Sequence, residues 1–135
     1  MEKIRLHIVD DRIEFIESLK HLFRNDESVE FTGYNLNPEE FIETVNPKNF
    51  DILLVDIKMP GMNGVEMIKR IVGDYPFIKV IVLSVYYDRE RLFDVVGAGA
   101  MGYVTKNSSK KELLKAFDTV MQGEKYFKNA VSRLQ

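Results

Sequence analysis

Five polar residues stand where apolar runs end. Asp10 and Asp11 follow IRLHIV, Asp56 follows FDILLV, Ser84 closes KVIVLS, and Lys106 comes just after GYVT. If these runs are parallel strands of one sheet, all five side chains reach the same edge. Three carboxylates brought together repel, so one stays protonated or a cation sits among them. A hard divalent ion with oxygen ligands is the natural solution. Mg2+ binds oxygens at about 2.0–2.1 Å and keeps several of its waters, so it needs only a few protein groups. No His or Cys lies near these positions, which gives no preference for a transition metal. An aspartate beside such an ion and a lysine can attack phosphorus and form an acyl phosphate. Mg2+ and Lys106 would offset charge on the equatorial oxygens, and Ser84 would donate a hydrogen bond. No general base is needed, because a carboxylate is already ionised at neutral pH. Singly, each residue has a plainer reading: Asp56 as a loop acid, Asp10 and Asp11 as helix caps, Lys106 as a surface lysine. The set in register argues for a shared site, while leaving room for one of Asp10 and Asp11 to cap the following helix in part.

The elements that must position these groups are legible as two alternating periodicities. Strands are predicted at 4–9, 50–55 and 79–84, with weaker ones at 29–35 and 102–105. Between them, apolar residues recur at helical spacing: Phe15, Ile16, Leu19, Leu22 and Phe23; Phe41, Ile42 and Val45; Val65, Ile68, Ile71 and Val72; Leu92, Val95 and Val96; Leu113, Leu114, Phe117, Val120 and Met121. Asn37-Pro38 with Glu40, Asn63 with Glu66, and Ser109 with Glu112 mark helix starts. Strand and helix alternate five times, which implies an α/β fold with a mostly parallel sheet covered on both faces. Near-continuous rather than alternating apolar strands agree with burial on both sides.

Composition narrows the class. The chain has 135 residues, 45% hydrophobic and 30% charged, with a net charge of -2, which suits one soluble globular domain. Without a basic run, direct nucleic-acid binding by this segment is not expected. There is no cysteine, which excludes thiol catalysis and disulfides and fits a reducing cytoplasm. The apolar stretches are too short to span a bilayer, and the N-terminus does not read as a signal peptide.

Taken together, Asp10-Asp11, Asp56 followed by IKMPGMNG, Ser84 and Lys106 resemble a two-component response-regulator receiver domain. The resemblance covers residues 3–123. It implies a flavodoxin-like, doubly wound five-stranded parallel sheet of order 2-1-3-4-5, with Asp56 as phosphoacceptor. Asp10, Asp11, Asp56 and the backbone carbonyl of Lys58 would hold Mg2+. Ser84 would follow the phosphoryl group, with Tyr103 as the aromatic switch and the side chains of Lys58 and Tyr86 flanking the phosphoryl site. A histidine kinase would be the donor. The fourth helix, fifth strand and fifth helix would form the responding face, with Asp88, Arg89, Glu90 and Arg91 offering charges for a homodimer. GAGAMGYVTK followed by ELLKAFDTVMQGEKYF resembles the subfamily whose receivers precede a helix-turn-helix DNA-binding domain. Residues 1–123 are thus expected to form the receiver. Residues 124–135 would be a C-terminal extension or the start of a linker to an output domain, which alone would contact DNA.

The chain departs from the family pattern at two places. Many receivers follow the lysine with a cis proline, whereas Asn107 stands here. Without proline a cis bond costs about 2.5–4 kcal/mol. Ser replaces the commoner Thr at position 84. Other functions fare worse. A metal-dependent phosphohydrolase would usually carry a second acid two residues after its nucleophile, and position 58 is Lys. A flavin carrier would need a Ser/Thr/Gly-rich loop after the first strand. An interaction-only receiver would not need the acidic set. Gly97, Gly99 and Gly102 match G-x-G-x-x-G, but they leave a helix and enter a strand, the reverse of a dinucleotide site. They read instead as a tight, movable turn. His7 and His21 are expected to be a strand and a helix-surface histidine.

Overall fold

A computed structural model describes residues 2–58, 63–85 and 89–127. The elements run β1 (Ile4–Val9), α1 (Ile13–Leu22), β2 (Val29–Asn35), α2 (Pro38–Thr44), β3 (Ile52–Asp56), α3 (Gly64–Asp74), β4 (Lys79–Ser84), α4 (Arg89–Ala98), β5 (Gly102–Thr105) and α5 (Lys110–Met121). All four strand pairings are parallel, in the order β2-β1-β3-β4-β5, as the family resemblance implies.

Alternation along each strand divides the core between two faces. Leu6, Ile8, Ile52, Leu54, Ile81 and Leu83 pack with α1 and α5 through Ile16, Leu19, Leu113 and Phe117. Val9, Leu53, Val55, Val80, Val82 and Tyr103 pack with α2, α3 and α4 through Phe41, Met67, Ile68, Ile71, Leu92 and Val95. Both faces are buried, which is why β3 and β4 read as unbroken apolar runs.

Several boundaries differ from expectation, each for an identifiable reason. β3 begins at Ile52 rather than residue 50, because Asp51 turns its carboxylate to the Arg5 backbone N–H (2.9 Å) and guanidinium (3.0 Å). It ends on Asp56 itself, so the acid is the last residue of the ladder. Asn37 caps α2 through the Glu40 N–H, but the Glu40 carboxylate accepts from Asn35 Nδ2 (2.6 Å). Asn63 caps α3 through Val65 N–H, one residue earlier than a capping box would have it. Ser109 and Glu112 make the complete reciprocal box. Leu22, Val96 and Met121, apolar at helical spacing, lie at the exposed edge of their helices.

Of the glycine run, only Gly99 sits in a turn that requires glycine, with φ +106°. Its N–H bonds to Val96 O and the Ala100 N–H to Val95 O, the paired bonds that close a helix through a left-handed residue. Gly97 lies inside α4. Among the described residues there is no cis peptide bond, so Asn107 follows Lys106 in trans. After α5 the chain turns back along β5. The Tyr126 N–H donates to Met101 O (2.8 Å), and Tyr126 O accepts from the Tyr103 N–H (3.1 Å), beside a parallel bridge to Gly102. No helix among the described residues is long and apolar enough to cross a membrane.

Candidate functional site

The carboxyl ends of β1, β3, β4 and β5 bring the expected residues together. Asp10 follows β1 and is completely buried. Its N–H donates to Asn35 O (3.1 Å), which ties it to the end of β2. Its Oδ1 accepts the Arg12 N–H (2.8 Å), a side-chain turn that leads the backbone into α1. Its Oδ2 accepts from Lys106 Nζ at 2.6 Å. Asp56, 8% exposed, accepts the Lys58 N–H on Oδ1 (2.8 Å) and Lys106 Nζ on Oδ2 (3.0 Å). Asp11 is exposed at the rim, with a carboxylate oxygen in a group with those of Asp10 and Asp56 that lie within 4.8 Å of one another. Ser84 ends β4 and is buried; its backbone carbonyl accepts the Lys106 N–H (2.8 Å).

The cation that repulsion among these acids demands is present in the chain itself. Lys106 bridges Asp10 and Asp56 with its side chain 12% exposed. Burial works against its charge, but bonds from both carboxylates outweigh it and hold the ammonium above the usual lysine value. Burial lifts the Asp10 carboxyl above the usual aspartate range, against the opposing pull of Lys106 and the Arg12 N–H. The donor set of carboxylate oxygens, with no nitrogen or sulfur ligand in the group, fits a hard divalent ion.

The other expected residues fall as follows. Tyr103 is fully buried between β4 and the helices of its face, so in this structure the inward position of that ring is filled. Lys58 is exposed beside Asp56. Tyr86 and Asp88, and Met59 to Met62, lie outside the described residues.

The chain matches the family model described as "Response regulator receiver domain" over residues 6–118. It belongs to the response regulator receiver family. This receiver is similar to the transcriptional regulatory protein DegU of Brevibacillus brevis, 35% identical over 92% of this chain and 52% of that protein. The oxygen regulatory protein NreC of Staphylococcus epidermidis is 31% identical over 91% of this chain and 57% of its own length. RcsB from Salmonella typhimurium superposes with a TM-score of 0.86 at 27% identity, covering 99% of this chain and 67% of that one. The isolated receiver domain of RcsB, solved with the phosphomimetic BeF3-, gives 0.84 at 26% identity, covering 98% and 99%. The receiver spans about half the length of the curated relatives it matches. Its family role is signalling within two-component response regulators.

Two features of the site escaped sequence reasoning. The ring of Phe15, in the first turn of α1, lies 4.5 Å from Lys106 Nζ. The other is a chain of side chains behind Asp10. His7 Nε2 meets Asn35 Oδ1 at 2.7 Å, Asn35 Nδ2 donates to Glu40, and the His7 ring packs against Phe41 and Phe50. Gly33 makes room for it: a Cβ there would come within 3.0 Å of His7 Nδ1. Burial holds the His7 imidazole below its ordinary value, with the Asn35 bond opposing. The folded chain therefore resists a proton that the unfolded chain takes up near pH 6.5. Stability is complete above that pH and is lost as pH falls from the unfolded value to the folded one, at up to about 1.4 kcal/mol per unit. Urea midpoints at pH 7.5 and 5.5 are expected to differ less in His7→Gln than in the parent chain. An equal drop in both would remove His7 as the cause.

Proposed function

We propose that this receiver is a phosphorylation-controlled switch that accepts a phosphoryl group on Asp56. The observation that carries the reading is the convergence of Asp10 and Asp56 on one buried ammonium, Lys106, at the carboxyl edge of a parallel sheet. An Asp56 carboxylate oxygen forms the new bond to phosphorus as the P–N bond of a kinase phosphohistidine breaks, and the imidazole leaves with the electron pair and takes up a proton. With a small acyl phosphate as donor, a P–O bond breaks and carboxylate leaves. Lys106 would turn from the carboxylates to a phosphoryl oxygen, and Ser84, one strand away, would donate to another. Asp10, Asp11, Asp56 and the Lys58 carbonyl would hold Mg2+, which when bound neutralises charge on the phosphoryl oxygens.

The covalent charge acts by interacting differently with two conformations of the domain. Tyr103, on β5 beside Val82 of β4, is backbone-bonded to Tyr126 and so joins β5 to the chain that follows α5. We assign the readout to the face of α4, β5 and α5, through a homodimer or an output domain. The kinase partner, the cytoplasmic setting and transcriptional output belong to the same reading. RcsB has been solved bound to a promoter; we assign DNA contact here to an output domain beyond the matched half of the relatives.

Beryllofluoride, a mimic of the phosphoryl group, tests the site without turnover. A bound fluorine resonance is expected with Mg2+ present and is expected to vanish in Asp56→Asn. No bound signal at millimolar Mg2+ would refute the phosphoacceptor reading.

A further inference from the structure

Lys106 Nζ stands 2.6 Å from Asp10 Oδ2, 3.0 Å from Asp56 Oδ2 and 4.5 Å from the centroid of the Phe15 ring. Two other lysines approach aromatic rings among the described residues, Lys110 at Phe23 and Lys20 at Tyr34, but at 5.7 and 5.9 Å. A cation within about 6 Å of a ring centroid is attracted by the ring quadrupole, and more strongly where water is excluded. At 4.5 Å, beside two buried acids, the Phe15 pair is the closest of these three, and its lysine side chain is only 12% exposed. The ring is itself held in place. Phe15 sits in the first turn of α1, with its N–H on Arg12 O, and packs against the core shared by α1 and α5. Arg12 N–H is in turn bound by Asp10. The same acid thus fixes both the ammonium and the turn that carries the ring.

We propose that Phe15 is a positioning residue for Lys106, its ring face holding the ammonium at the site during phosphoryl transfer. The inference rests on the phosphoacceptor reading above and deepens it. In the resting chain two carboxylates anchor Lys106. Transfer would engage these carboxylates with the divalent ion and the phosphorus, so the anchors would weaken when the ammonium must be in place. The ring is neutral, remains available, and competes for neither. A leucine at position 15 would fill similar space without the quadrupole. The geometric benefit is that a lysine with four rotatable bonds need not be ordered anew for each transfer.

The test uses the whole chain, acetyl phosphate and Mg2+, with the phosphorylation rate followed by intact mass. Phe15→Leu is expected to lower the rate constant roughly tenfold, and Phe15→Tyr to keep it within about twofold. A series with 4-fluoro-, 3,5-difluoro- and 3,4,5-trifluorophenylalanine at position 15 changes ring electrostatics with little change of shape. The rate is expected to fall stepwise along it. In the metal-free parent chain, the Lys106 ε-methylene protons are expected to resonate upfield through the ring current of Phe15. A flat fluorine series beside a slow Phe15→Leu would mean packing alone and overturn the proposal, as would an unshifted Lys106 resonance. No adduct even in the parent chain, together with no bound beryllofluoride, would instead refute the phosphoacceptor reading beneath it.

Discussion

Replacing Lys106 with methionine is expected to destabilise the metal-free chain by about 3 kcal/mol at neutral pH, and Mg2+ is expected to restore most of that loss. The size follows from what remains. Asp10 is wholly buried and Asp56 nearly so, and the ammonium between them is the cation both carboxylates bond. Methionine keeps most of the length and an apolar stem, so the change removes chiefly the charge. Removing one partner of a buried ion pair leaves an uncompensated charge, and here it leaves two carboxylates facing each other. Protonating one of them relieves the repulsion, so the penalty is expected to shrink as pH falls toward the carboxylate range. Asp10, whose carboxyl is already raised by burial, is the group to take that proton. Urea denaturation with and without Mg2+ measures both effects. A loss under about 1 kcal/mol, insensitive to metal, would return Lys106 to the class of surface lysines.

Tyr103→Ala is expected to cost about 4 kcal/mol, whereas Tyr103→Phe is expected to cost about 1 kcal/mol. The ring is fully buried on the face shared with α2, α3 and α4, and it is among the largest side chains sealed in the core. Truncation removes the apolar contacts and leaves a cavity beside β4 that neighbouring strands cannot close. The backbone of the same residue donates to Tyr126 O, so relaxation there would also disturb the chain after α5. The prediction discriminates between two resting positions of an aromatic switch. A ring resting in solvent would lose little on truncation, and a cost below about 1 kcal/mol would show that the resting chain keeps Tyr103 outward.

Much of this architecture could be read from residue order because strands buried on both faces leave a strong apolar signal. The runs at 29–35, 79–84 and 102–105 are strands at the expected residues. The acids at strand ends were equally legible, since parallel connections send every carboxyl end to one edge. What was not legible depends on side chains that meet over long separations. Asp51 shortens β3 only because Arg5, forty-six residues earlier, claims its carboxylate. Glu40 leaves its capping box because Asn35 offers an amide that is already bonded to His7. Phe15 reads as one more apolar position on α1, and its meeting with Lys106 exists only once α1 and the end of β5 lie side by side. Spacing also does not tell which apolar residue of a helix lies at its margin. Leu22, Val96 and Met121 share the periodicity of their buried neighbours but emerge at the surface, and Phe93 is 69% exposed on α4.

The most direct test of the phosphoacceptor claim is the intact mass of the chain after incubation with acetyl phosphate and Mg2+, beside Asp56→Asn and a metal-free control. The account predicts one added phosphoryl group on the parent chain and none on either control. An adduct that persists in Asp56→Asn, or no adduct together with no bound beryllofluoride, would contradict it.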